Sequence, residues 1–110
     1  MIKNVQREKQ MEMFLTINKG CPKTKIDLHY LQTGEAIKQL QHFIGQWDNF
    51  VNEGKKTCQT VEVITGRGNR SDNGKSRLRP AVSTWLNQKN YQYSEVNDGC
   101  FKVTISPRRN

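Results

Sequence analysis

The stretch VEVITGRGNRSDNGKSRLRP, residues 61–80, decides the fold. Val61, Val63, Ile64 and Thr65 predict a strand from about residue 60 to 65 that runs straight into Gly66, Arg67 and Gly68. A polar loop with a third glycine, Gly74, follows. Leu78, Val82, Trp85 and Leu86 then recur at helical spacing, with Pro80 tolerable because it lies in the first turn. Strand, glycine loop and helix together form a unit of an α/β domain.

The same stretch concentrates charge. It carries five cations, Arg67, Arg70, Lys75, Arg77 and Arg79, against Glu62 and Asp72. Glycines let the backbone approach a phosphate, and free N–H groups at the following helix start can bind it. Arg67, between two glycines, is placed to fork two oxygens of one phosphate. A tight turn also needs glycines, so the loop alone is a weak sign. Its spacing matches neither the dinucleotide fingerprint nor the P-loop. Gly74-Lys75-Ser76 lacks the glycine five positions earlier, where Asn69 stands, and this argues against an ATPase.

Working upstream, TKIDLH at residues 24–29 reads as a short strand, with Ile26 and Leu28 on one face and Asp27 and His29 on the other. Thr33 is a fitting N-cap, and Glu35 suits the first turn of a helix. Ala36, Ile37, Leu40, Phe43, Ile44, Trp47, Phe50 and Val51 make that helix's apolar stripe, which ends near Asn52 and Gly54. Downstream, residues 91–96 and 101–105 alternate as strands around an Asn97-Asp98-Gly99 turn. The order is β-α-β-α-β-β, with right-handed crossovers between parallel strands. The carboxyl ends of the first two strands then lie side by side, which brings Asp27 and His29 to the same edge as Gly66, Arg67 and Gly68.

Residues 1–22 form a helical extension, an appendage rather than part of the core, that stops near Gly20 and Pro22. The domain proper covers residues 23–106, and residues 107–110 are a loose basic tail. At 110 residues the chain has room for one modest core. Eighteen Lys and Arg against ten Asp and Glu give a formal net charge of +8, which favours a polyanionic partner. No apolar run approaches about 18 residues, so no membrane span and no membrane partner are expected. Cys21, Cys58 and Cys100 are odd in number, form no C-x-x-C pair and lie at no zinc-finger spacing from His29 or His42. Reduced thiols in an intracellular protein, with neither metal nor cofactor, are the expectation.

A carboxylate beside an imidazole fixes its tautomer and suits it to proton transfer near neutrality. The plainer reading of Asp27 and His29 is a polar pair at a strand end; a basic glycine loop opposite favours the catalytic one. His42 falls off the apolar stripe and reads as a surface residue. Trp47, Phe43, Phe50 and Trp85 are accounted for by packing. Tyr30, Tyr91 and Tyr93 remain as base platforms, and Tyr30 directly follows the histidine.

Ile26-Asp27-Leu28-His29, then Glu35-Ala36, then Thr65 to Ser71 with Gly74, and Val82 with Trp85-Leu86, resemble the Smr (small MutS-related) domain over roughly residues 24–105. The variant of the glycine loop looks most like eukaryotic Smr domains of large proteins that carry ubiquitin-binding CUE modules. The resemblance implies a two-layer α/β sandwich with a mixed sheet, like the C-terminal domain of bacterial translation initiation factor 3. It also implies a nucleic-acid endonuclease that cuts mRNA on stalled ribosomes in no-go decay, in the cytoplasm, as a monomeric domain of a larger protein. RNA is the expected partner, DNA the other possible substrate and the ribosome a further partner. The catalytic set it implies is Asp27, His29 and Arg67, with Tyr30, Gly66, Gly68, Asn69, Arg70, Ser71, Lys75, Arg77 and Arg79 contacting nucleic acid. Tyr30 stands where the family often has glycine. Binding to RNA, DNA or the ribosome without cleavage is the alternative.

Overall fold

The computed structural model describes residues 2–66, 77–97 and 99–107. In chain order the elements are α1 (Ile2–Lys19), β1 (Lys25–Asp27), α2 (Thr33–Asn52), β2 (Gln59–Ile64), α3 (Leu78–Gln88), β3 (Gln92–Asn97) and β4 (Cys100–Ile105). The strands form one mixed sheet in the order β1-β2-β4-β3. β1 and β2 run parallel, with Ile26 opposite Val63. β4 inserts antiparallel between β2 and β3, with Val61 opposite Val103 and Tyr93 opposite Val103. Because β3 is antiparallel to β4, it runs with β2, so α2 and α3 both join parallel strands, as the sequence order requires.

Alternation sorts the sheet into two faces. Ile26, Val61, Val63, Phe101, Val103 and Ile105 are buried on one of them, together with Leu40, Ile44 and Val51 of α2 and Val82 and Leu86 of α3. The opposite face carries Lys25, Glu62 and Lys102 in one row of the register. Lys25 and Glu62 pair across it at 3.9 Å. This is the expected two-layer architecture, in which apolar stripes from both helices cover one face of the sheet.

Three details depart from the sequence reading. β1 ends at Asp27, so His29 lies beyond the strand in a turn that Leu31 N–H closes onto the Leu28 carbonyl at 3.0 Å. Aspartate favours this outcome, since its carboxylate can bond the backbone two residues on. Thr33 begins α2 rather than capping it. The cap is Gln32, in extended conformation and without a side-chain bond, and its carbonyl accepts the Ala36 N–H at 2.8 Å. The N-terminal helix is also no mere appendage: Phe14, only 6% exposed, belongs to the core cluster.

Candidate active site

The carboxyl edge of β1 and β2 is where the chemistry collects. Leu28 N–H donates to the Ile64 carbonyl at 2.8 Å, which carries the pairing one residue past β1 and fixes where the chain leaves the sheet. In the turn that follows, Oδ1 of Asp27 accepts the His29 backbone N–H at 3.1 Å and also meets His29 Nδ1. One carboxylate oxygen therefore holds both the backbone and the ring of the same histidine. The Asp27 side chain is 13% exposed and that of His29 34%, so the pair sits at the surface with its carboxylate drawn inward. With Nδ1 on the carboxylate, Nε2 is the nitrogen left to face a substrate.

Two further groups confine the imidazole. The Tyr30 ring lies against it, with centroids 3.9 Å apart and planes tilted by 41°. Gly66 closes in from β2: a Cβ built there would lie 3.0 Å from the His29 Cβ. Gly66 also has φ +82°, a conformation that side chains disfavour. Glycine is thus needed twice over at this position.

The hairpin between β3 and β4 completes the edge. The Gly99 carbonyl accepts Thr65 N–H at 2.7 Å and Gly66 N–H at 3.2 Å, pinning the root of the glycine loop. Gly99 in turn donates its backbone N–H to Glu95. Glu95 is ion-paired with Arg79 of α3. The hydrogen bond from the Arg79 guanidinium, helped by its charge and by the Gly99 N–H, holds the Glu95 carboxyl below the usual carboxylate range, although desolvation acts in the opposite direction.

The structure therefore brings together Asp27, His29, Tyr30 and Gly66. Arg77 is exposed at the start of α3. Arg79 is engaged by Glu95, a partner the sequence reading did not assign to it. Arg67, Gly68, Asn69, Arg70, Ser71 and Lys75 lie outside the described residues, as does Asp98 of the expected turn. His42 is exposed on α2, with Gln46 Nε2 at 3.4 Å from its ring nitrogen, in keeping with a surface residue. Trp47 is half-buried and donates its indole N–H to the Lys23 carbonyl at 3.1 Å, tying α2 to the segment before β1. Tyr91 donates to the buried carboxylate of Asp48 at 2.9 Å, and Tyr93 meets Ser83 Oγ at 2.7 Å. Both tyrosine hydroxyls thus have structural partners.

Sequence reasoning missed Asn18, Glu95 and Gly99 as neighbours of the site. Asn18 acts from α1 on the Asp27 backbone, and only a carboxamide near a helix end hinted at it. The three cysteines are free, and Cys58 is exposed. Burial, followed by the nearby charge of Glu62, pushes the Cys100 thiol up and keeps it protonated. Among the described residues, no three or more His, Cys, Asp or Glu are grouped to hold a metal ion.

Known proteins share this fold. The chain is 35% identical over 97 residues to human NEDD4-binding protein 2, a match covering 86% of this chain and 5% of that protein. It is 35% identical over 105 residues to a Smr domain-containing protein of Schizosaccharomyces pombe, covering 94% of this chain and 48% of that one. The chain thus spans about half of one relative and a small part of the other. Among solved structures, the solution structure of the B3BP Smr domain superposes with a TM-score of 0.73 at 33% identity, covering 93% of this chain and 97% of that domain. The crystal structure of a human small-MutS related domain gives a TM-score of 0.58 at 36% identity, covering 73% and 98%. Residues 26–105 match the Smr domain profile. With that match running from β1 to β4, the chain belongs to the Smr domain family, a group of nuclease-related or nucleic-acid-binding modules.

Proposed function

We propose that the domain is a metal-independent endoribonuclease whose proton-transfer group is His29. The observation that carries this reading is the double hold of Asp27 on the backbone N–H and ring of His29, at the strand edge where Gly66 begins the cationic loop. A neutral imidazole that donates an Nδ1–H hydrogen bond to the Asp27 carboxylate keeps a lone pair on Nε2. That nitrogen takes the proton of a ribose 2′-OH, and the 2′ oxygen attacks the adjacent phosphorus. The bond to the 5′ oxygen breaks, the leaving oxygen takes a proton from water, and His29 returns its own to solvent. The products are a 2′,3′-cyclic phosphate and a 5′-OH. Arg67 and backbone N–H groups of the loop stabilise the added phosphate charge, Tyr30 offers a face to a neighbouring base, and Gly68, Asn69, Arg70, Ser71, Lys75 and Arg77 line the path of the strand.

The net charge of +8 suits binding without cleavage equally well; the oriented histidine is what favours cutting. We extend the reading to mRNA on stalled ribosomes in the cytoplasm, with the domain forming part of a larger protein. The test is cleavage of an end-labelled single-stranded RNA in EDTA. The wild type should cut, and His29→Ala should lose about 10²–10⁴-fold in rate. A 2′-deoxy substitution at the scissile nucleotide should block the reaction. Equal cutting by His29→Ala, or cutting that survives the 2′-deoxy change, overturns the mechanism.

A further inference from the structure

Asn18 lies half-buried in the last turn of α1. Its amide nitrogen and its amide oxygen are both engaged. Nδ2 donates to the Phe14 carbonyl at 2.8 Å and to the Asp27 carbonyl at 3.0 Å, while Oδ1 accepts the Asp27 N–H at 2.8 Å. Among the described residues, β1 is an edge strand paired only with β2. Its Thr24 carbonyl and Leu28 N–H bond β2, each at 2.8 Å. By alternation the N–H and C=O of Asp27 face the open edge. A single carboxamide therefore does there what a neighbouring strand would do, and it does so at the residue whose carboxylate holds His29.

The linkage is short and continuous. Phe14 anchors α1 in the core, Asn18 clasps both peptide groups of Asp27, and Asp27 Oδ1 takes the His29 backbone and ring. The clasp fixes the backbone on both sides of the Asp27 Cα, which sets the origin and direction of the carboxylate. The residues matching the family profile begin at Ile26, so Asn18 stands outside them.

We propose that Asn18 is a positioning residue of the site. It holds Asp27 so that the imidazole keeps Nδ1 inward and Nε2 outward, and it makes the N-terminal helix part of the catalytic apparatus. The activity arm of its test rests on the endonuclease reading; the arm that reads the ring does not.

The experiment uses the full 110-residue chain as wild type, Asn18→Ala and Asn18→Asp, each held below its melting temperature. Imidazole nitrogen and proton chemical shifts are read by NMR beside RNA cleavage in EDTA. His42, remote in sequence and exposed, is the internal reference in the same spectra. In Asn18→Ala the His29 signals should move toward a mixture of tautomers while those of His42 stay in place. In the same variant kcat should fall roughly tenfold, the low end of the loss when a hydrogen-bond partner that orients a metal-bound histidine is removed, with KM for RNA unchanged. Asn18→Asp keeps the acceptor for Asp27 N–H but turns a carboxylate oxygen toward the Phe14 and Asp27 carbonyls, and should disturb the His29 signals at least as much.

Wild-type His29 signals and kcat in Asn18→Ala overturn the proposal. So does a loss confined to thermal stability. If the wild type itself does not cut, the endonuclease reading fails and the ring signals alone decide. A change at His29 and not at His42 then upholds the role of Asn18, and no change ends it. If Asn18→Ala does not fold, Asn18→Asp decides by the same two readouts.

Discussion

A methyl group on Gly66 would meet the His29 Cβ at 3.0 Å, closer than nearly all real contacts of that kind. Neither atom sits at the end of a flexible side chain, so something in the site must shift. The φ of +82° adds backbone strain for any L side chain, about 1 kcal/mol. Gly66→Ala should therefore lower stability by about 1–2 kcal/mol and displace His29 from its place. The cleavage rate should fall by much more than the stability loss explains, which urea titration and a rate measurement on the same sample will separate. A variant that cuts at the wild-type rate would mean that Gly66 only turns the chain. Asp27, His29 and Gly66 were legible in the sequence because each has a side-chain type, or lacks a side chain, suited to its task. Asn18 and Gly99 were not. They act on backbone N–H and C=O groups, which every residue except proline carries alike, so no residue type flags where such a contact will fall. The face shared by Asp27 and His29 was expected from strand alternation. The structure reaches the same proximity by another route, a carboxylate-closed turn beyond Asp27.

At the scale of elements, the site edge is held from two sides, by α1 through Asn18 and by the β3–β4 hairpin through Gly99. The second hold ends in the Arg79–Glu95 ion pair, which links α3 to β3. The Glu95 carboxyl titrates below its usual range because Arg79 hydrogen-bonds it. A depressed carboxylate contributes stability that is fully present above the unfolded value and is lost as pH falls through the folded value. Melting temperature should therefore fall on acidification more steeply in the wild type than in Glu95→Gln, and the two curves should converge once the Glu95 carboxylate is protonated. The pair is about one-third exposed and screened by solvent, so the difference will be small. Parallel curves throughout would show that the ion pair contributes nothing to folding. The strand and helix order was legible because apolar periods of two and of three to four alternate cleanly from Ile26 to Ile105. The place of β4, between β2 and β3, was not: hairpin alternation specifies that two strands pair, whereas a third neighbour is chosen by tertiary packing.

At the scale of the whole molecule, the five cations of residues 61–80 give the domain its most concentrated charge. Arg79 is neutralised by Glu95, which leaves Arg67, Arg70, Lys75 and Arg77 as the phosphate-contacting set we propose. Each phosphate neutralised on a single strand releases condensed counterions, and the logarithm of the binding constant falls with the logarithm of salt by about 0.7 per contact. Four contacts predict a slope of about −3 for single-stranded RNA. Arg77→Ala should flatten the slope by about 0.7, whereas Arg79→Ala should leave it unchanged despite removing the same formal charge. Fluorescence anisotropy of a labelled oligonucleotide across a salt series measures both, and His29→Ala as the background keeps the substrate intact. Equal flattening by the two variants would mean that RNA draws Arg79 away from Glu95, making the ion pair a competitor for phosphate. A slope near zero in the parent would remove the phosphate path altogether and leave the glycine loop as a turn.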